Sequence, residues 1–345
     1  MSLTREPVSP TRRSGRLWLR RRAAATAAAL ALAGGTIALG PTAAQAMIAP
    51  GGGSHLALSG PAASRPAVGH PATSSPAVVW ARTVSGREVR VPRPRFTPTP
   101  VHPEKITHPL LDFMGSTVAA HFSARAARLA PSTASVPQLP GIDISAYQGN
   151  INWGSIARYI DFSYAKATEG TYYTNPYFYN QYEGPYYAGL IRGAYHFAIP
   201  NNSSGKTQAD YFIAHGGGWS ADGKTLPGAL DIEYNPYGSE CYYLTQSQMV
   251  SWIWSFVHEY AYREHAYPVI YSTTDWWKTC TGNNGGFGNY DPLWIANYSA
   301  SNGGPLPRGW GFYTFWQYAD HGSLPGDQDV FNGAYTQLKT IATKG

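Results

Sequence analysis

From Gly141 onward, short runs of branched and aromatic residues alternate with stretches of helical periodicity. The runs predict strands over 141–145, 162–168, 191–198, 228–234, 267–273, 293–298 and 312–318. The clearest helix lies at 245–266, where Met249, Trp252, Ile253, Phe256, Val257 and Tyr260 share one face and Thr245 is placed to cap the N-terminus. Strands alternating with helices imply a mostly parallel sheet with helical crossovers. Seven or eight such strands fit a closed barrel better than an open doubly wound sheet. No Gly-x-Gly-x-x-Gly follows the first strand, which removes the main support for a dinucleotide-binding fold. The expected class is α/β, with a TIM-like β/α barrel.

The chain before Gly141 lacks this pattern. A basic cluster ending at Arg20–Arg22 precedes an Ala/Leu-rich run over 23–40, and Ala44-Gln45-Ala46 follows. That is the order of a cleavable export signal, so residues 1–46 are expected to be a signal peptide rather than a retained anchor. No stable membrane insertion is expected after its removal. Residues 47–140 are rich in Pro, Ala, Ser, Thr and Arg and offer little apolar surface to offset ordering entropy. They read as a disordered linker or pro-segment, with a weak, transient helical pattern over 109–130. Its arginines suit contact with anionic wall polymers, and the plainer reading is a spacer. Residues 141–345 are then the folded domain.

Charge sharpens this division. The chain carries +6 overall, but residues 1–140 hold +12 and residues 141–345 hold −6. The basic character therefore belongs to the leader, and a nucleic-acid partner is not expected. The two cysteines, Cys241 and Cys280, both fall in the folded part, and one even pair in an exported domain predicts a disulfide closing a 39-residue separation. A cysteine nucleophile is the rival reading, and neither cysteine sits at a strand end or elbow.

The strongest chemical signal is Leu230-Asp231-Ile232-Glu233-Tyr234. On a strand, Asp231 and Glu233 project from one face about 6.5–7 Å apart along the backbone. If that face lines a barrel, both acids point inward near the C-terminal rim, where barrel enzymes work. Repulsion raises the proton affinity of one acid, which suits a general acid beside an ionised partner. An ion pair with Lys or Arg is the structural alternative. Asp143, flanked by two isoleucines on the first strand, and Asp329, near the end where a barrel would close, stand to meet beside that pair, unless they are ordinary turn or cap residues.

These segments together resemble glycoside hydrolase family 25, the Chalaropsis-type lysozymes. The matching stretches are GIDISAYQGNINW (141–153), SYAKATEG (163–170), GAYHFA (193–198), ALDIEY (229–234), LWIANY (293–298) and FWQY (315–318), in family order. The resemblance implies an irregular barrel with fewer helices than strands. It implies hydrolysis of the β-1,4 bond between N-acetylmuramic acid and N-acetylglucosamine, with peptidoglycan glycan strands as the partner. The family's acidic cluster maps onto Asp143, Asp231, Glu233 and Asp329, its general acid onto Glu233 and its active-site tyrosine onto Tyr195.

Independently of the resemblance, 43 of residues 141–345 are aromatic, a supply suited to stacking on pyranose rings. Tyr147, Tyr195, Tyr298 and Trp316 lie at apparent strand ends and are candidate substrate contacts; core packing is the alternative for each. Lys166 and Glu169 either orient the site or form an ordinary ion pair. The histidines show no metal-ligand spacing, His196 reads as a hydrogen-bonded supporting residue, and no Gly-x-Ser-x-Gly elbow occurs. The expectation is a secreted, monomeric muramidase with no metal or organic cofactor. A chitinase-like glycosidase is disfavoured by Ala229, where that group carries a further Asp. A non-catalytic wall-binding barrel is disfavoured because all four acids are present.

Overall fold

The computed structural model describes residues 78–83, 86–92, 105, 107–119 and 137–345. The export-signal reading of residues 1–46 lies outside the described residues.

Two strands, β1 (Val78–Arg82) and β2 (Glu88–Pro92), form an antiparallel hairpin. The main sheet is built from β3 (Gln138–Ile144), β4 (Phe162–Glu169), β5 (Tyr173–Thr174), β6 (Ile191–Phe197), β7 (Ala229–Asp231), β8 (Val269–Ser272), β9 (Leu293–Ala296), β10 (Phe315–Ala319) and β11 (Asp327–Asn332). Strand order is β3-β11-β10-β9-β8-β7-β6-β4, and β3 also pairs with β4. That last pairing closes the ring: an eight-stranded barrel, with β5 appended to β4. Neighbours are parallel except around β11, which runs antiparallel to both β10 and β3. The chain therefore enters β11 at the rim where the parallel strands end.

The helices are α1 (Trp153–Ile156), α2 (Phe178–Tyr187), α3 (Gly205–Phe212), α4 (Gln246–Glu264), α5 (Thr274–Thr281) and α6 (Tyr335–Lys344). They are fewer than the strands, so the barrel wall is unevenly covered. In α4 the Thr245 side chain accepts from the Gln248 amide while the Gln248 side chain accepts from the Thr245 amide, a reciprocal cap that satisfies two otherwise orphaned donors. The apolar stripe read from the sequence, Met249 to Tyr260, is buried. No helix among the described residues is long and apolar enough to cross a membrane.

The barrel interior is filled by aromatics. Tyr164, Trp294 and Phe315 meet at centroid separations of 4.8–5.7 Å, and Phe162 packs on Phe315 at 5.2 Å. Glycines on neighbouring strands make the room: a Cβ on Gly193 would fall 2.2 Å from the Tyr164 ring, and one on Gly141 would fall 2.3 Å from Phe162. Cys241 and Cys280 form a disulfide, tying the loop after β7 to α5.

Three features differ from the periodicity reading. Strand β7 stops at Asp231, so Glu233 stands just past it; the Ile232 amide still bonds the Tyr271 carbonyl at 3.1 Å and keeps the backbone extended. The closing strand 327–332 carries no hydrophobic run, because its first two inward positions, 327 and 329, are aspartates. Within 47–140, a hairpin and a turn-rich stretch lie against the barrel, where a disordered chain was expected. Ala81 and Val91 of the hairpin are buried in the main core, and Arg82 pairs with Ala266. Residues 109–118 form successive turns rather than the transient helix. A few apolar anchors suffice when a ready-made surface receives them, which local composition does not reveal.

Candidate active site

The acids converge at the rim. Asp143 ends an inward face of β3, and Asp327 lies directly across from it on β11. The Gln317 side chain on β10 joins them, its amide donating to Asp143 Oδ2 at 2.7 Å and to Asp327 Oδ2 at 2.9 Å. Gln317 Oε1 accepts in turn from the hydroxyls of Tyr271 and Tyr298, each at 2.6 Å. Asp231 ends β7, and Glu233 follows on the same side. Asp329 lies two residues farther along β11, opposite Gly141, where Trp294 Nε1 donates to it at 3.1 Å. It is thus set deeper in the barrel than Asp327.

All five carboxyl groups are buried, and burial is the main reason each holds its proton more tightly than usual. Asp143 and Glu233 are both pushed up to about 7. Asp231, Asp327 and Asp329 are driven well above the ordinary carboxylate range, by desolvation first and by neighbouring acids second. The charge of Glu233 is the largest neighbour effect on Asp231, and Lys166 opposes it. Neither Asp231 oxygen takes a hydrogen bond among the described residues. Glu233, by contrast, accepts from the Gly115 amide at 2.6 Å and from the Thr117 hydroxyl. While Gly115 and Thr117 are in place, these donors favour the ionised form of Glu233 and leave the shared proton to Asp231; with them gone, Glu233 regains its proton affinity.

The remaining candidates divide. Tyr195 is buried at the site, and its hydroxyl accepts from the Met114 amide at 3.2 Å. Tyr298 reaches the acids through Gln317. Tyr147 is exposed, beside Phe113 at a centroid distance of 5.5 Å. Lys166 and Glu169 are a fully buried ion pair at 2.5 Å; Lys166 Nζ also donates to the Pro109 carbonyl at 3.1 Å, and its charge reaches Asp231. The Tyr237 hydroxyl contacts the Glu169 and Asp112 carboxylates. Trp316 is not brought to the acids: its Nε1 donates to the Asn297 carbonyl at 2.9 Å and its ring packs near Tyr313 and Tyr318. On a strand, successive side chains face opposite ways, and Gln317 takes the inward position.

His196 is buried, with Nδ1 facing the Thr168 hydroxyl at 2.8 Å and Nε2 facing Gln208 Oε1 at 2.9 Å. The amide oxygen can only accept, so Nε2 carries the hydrogen. Burial pulls its pKa down to about 3 and keeps the ring neutral.

Sequence reasoning missed Asp327, Gln317, Tyr237 and Tyr242. Asp327 had a signal, since it sits two residues from Asp329 and so shares its strand face. Gln317 had one as the lone amide in an aromatic strand. Tyr237 and Tyr242 lie in an irregular loop, where spacing carries no directional information. Tyr242 is fully buried at a left-handed φ of 56°, its hydroxyl unpartnered among the described residues and close enough to Glu233 and Asp231 to feel their charge.

A closed β/α barrel whose C-terminal rim gathers carboxyl groups of raised proton affinity among aromatic hydroxyls defines a carboxylate-dependent glycosidase of the barrel class. Residues 142–327 match the family model for glycosyl hydrolases family 25. The chain belongs to that family and is a glycoside hydrolase of the lysozyme type. It is 48% identical over 208 residues to lysozyme M1 of Streptomyces globisporus, covering 59% of this chain and 70% of the relative. It is 46% identical over 207 residues to the N,O-diacetylmuramidase of Chalaropsis sp, covering 59% of this chain and 98% of the relative. Among solved structures, the muramidase of Acremonium alcalophilum matches at 54% identity with a TM-score of 0.58, over 60% of this chain and all of that one. The matched region is the barrel.

Proposed function

We propose that this enzyme hydrolyses the β-1,4 bond between N-acetylmuramic acid and N-acetylglucosamine in bacterial peptidoglycan. Its relatives are named as lysozymes and muramidases. The observation that carries the mechanism is the buried pair Asp231 and Glu233, in which burial lifts Glu233 to about 7.

Glu233 is the proton donor to the leaving-group oxygen. It stands at the strand end, has the longer side chain, and its proton affinity lies near neutral pH, where a general acid works best. Asp231 faces the sugar with two uncommitted oxygens. Ionised, it stabilises the positive charge that develops at the anomeric carbon or orients the 2-acetamido group for internal attack. Asp143 and Asp327, bridged by Gln317, bound the other side of the cleft, and Asp329 supports them from below. Tyr195, Tyr298 and Tyr147 supply hydroxyls and ring faces for the glycan. The leader of residues 1–46 carries the protein out of the cell, where the barrel, residues 141–345, acts as a monomer on the wall.

The test is clearance of purified cell walls by wild type and Glu233→Gln. The amide keeps the shape and removes the transferable proton, so kcat on a soluble muropeptide is expected to fall by about 10²–10⁴ with KM nearly unchanged. Retention of more than about a tenth of wild-type kcat would remove Glu233 from the role.

A further inference from the structure

We propose that residues 107–119 are a built-in inhibitory plug: this stretch fills the acidic cleft and blocks glycan access until it is displaced. The inference rests on the glycosidase reading and adds its regulation.

Glu233, Tyr195, Gln317, Lys166 and Tyr237 are all engaged by this stretch, while the Asp231 oxygens lie beneath it without a hydrogen bond. The Gly115 amide donates to Glu233 Oε1 at 2.6 Å, and the Thr117 hydroxyl contacts the other oxygen. The Met114 amide donates to the Tyr195 hydroxyl at 3.2 Å, and the Met114 carbonyl accepts from Gln317 Nε2 at 3.1 Å. Lys166 Nζ caps the Pro109 and Asp112 carbonyls, and the Asp112 carboxylate contacts the Tyr237 hydroxyl. Met114 and Val118 are wholly buried although both lie in a turn-rich segment outside the barrel wall.

The fit leaves no room for a pyranose. Gly115 adopts φ +88°, and a Cβ there would fall 2.4 Å from the Tyr298 hydroxyl, 2.6 Å from Gln317 Oε1 and 3.0 Å from Asp327 Oδ2. Glycine is needed both for the left-handed backbone and for this close approach. The plug also works against the chemistry. Two donors aimed at Glu233 favour its ionised form, which has no proton to give. The contacts need not be strong individually. The hairpin β1–β2 pins the segment on one side through buried Ala81 and Val91, and β3 continues the chain on the other. Tethering of this kind raises a segment's effective concentration at its site to about the millimolar range.

The experiment compares the full chain with the full chain carrying Gly115→Val, which the cleft cannot accommodate, and with Thr117→Ala. Hydrolysis of a soluble muropeptide and hydrogen exchange at the residue-115 amide are read on each. Thermal melting checks that the barrel is intact. The plug predicts a slowly exchanging Gly115 amide in the wild type, loss of that protection in Gly115→Val, and kcat/KM raised at least about tenfold, with a smaller rise for Thr117→Ala. A freely exchanging Gly115 amide in a fully active wild type would overturn the plug and leave the muramidase reading intact. So would loss of protection with no gain in activity over an active wild type. Protection that is lost as expected, with neither chain cleaving the glycan, would support the plug and count against the muramidase reading.

Discussion

Asp327 and Asp329 lie on one strand and face the same interior, yet their surroundings assign them different work. Asp327 is opposite Asp143 at the rim and shares the Gln317 amide with it. Asp329 lies below, under the Trp294 indole N–H. The amide variant of each keeps volume and removes charge. Asp327→Asn is expected to lower kcat by about 10-fold or more, because it disturbs the Gln317 bridge that orients Asp143 toward substrate. Asp329→Asn is expected to change kcat less than about threefold and to act mainly on stability, since its carboxyl lies deeper, held by the Trp294 indole and set beside Asp143. Steady-state kinetics and melting curves for the two variants decide this; equal losses of kcat would mean that both acids face the glycan. The residue scale also explains Lys166: it lies against buried Glu169 and opposes the rise in proton affinity that burial gives that carboxyl.

At the scale of elements, β11 does the most for the site. By running antiparallel to both neighbours it brings its N-terminal end to the acidic rim, so a strand-start residue joins acids that end β3 and β7. The wall that holds these strands depends on close approaches between them. Tyr164 on β4 occupies the space over Gly193 on β6, its hydroxyl donating to the Pro227 carbonyl at 3.0 Å. Gly193→Val drives a branched side chain into that ring and is expected to destabilise the fold by about 3 kcal/mol or more, the upper end of overpacking costs. Chemical denaturation measures it, and a loss below about 1 kcal/mol would show that the interior yields more easily than its packing implies. The Cys241–Cys280 bond holds the irregular loop carrying Tyr237 and Tyr242, and a bond across 39 residues contributes at most about 4 kcal/mol in the chain-entropy view.

For the whole molecule, several buried acids share one consequence. Asp143 and Glu233 titrate near 7 when folded, whereas the unfolded chain releases these protons near pH 4. Between those values the folded state binds more protons than the unfolded one. Stability is therefore fully present below about pH 4 from this source and is lost as pH rises through about 7. We expect the melting temperature at pH 8 to lie about 5 °C or more below that at pH 5, by calorimetry in buffers of equal ionic strength. A flat or rising profile over that interval would mean that the acids are ionised in the fold. The same titration sets the catalytic range: Glu233 donates a proton only below its pKa, so activity should decline above about pH 7.

The sequence by itself determined the class of fold and most of the chemistry. Alternating strand and helix patterns marked the barrel, the Thr245 cap marked its longest helix, and the Asp231-x-Glu233 pair and Asp143 marked the acidic cluster at its rim. Each of these is local: periodicity, capping and two-residue spacing are properties of contiguous residues. The tertiary structure alone decided which acid faces Asp143, because that depends on the register and direction of β11. It decided that Gln317 rather than Trp316 points inward, and it brought Tyr237 and Tyr242 to the site from a loop without periodicity. It also placed residues 107–119 in the cleft. Their composition promises no fold because they bury almost nothing among themselves; the surface that orders them is supplied by strands far along the chain.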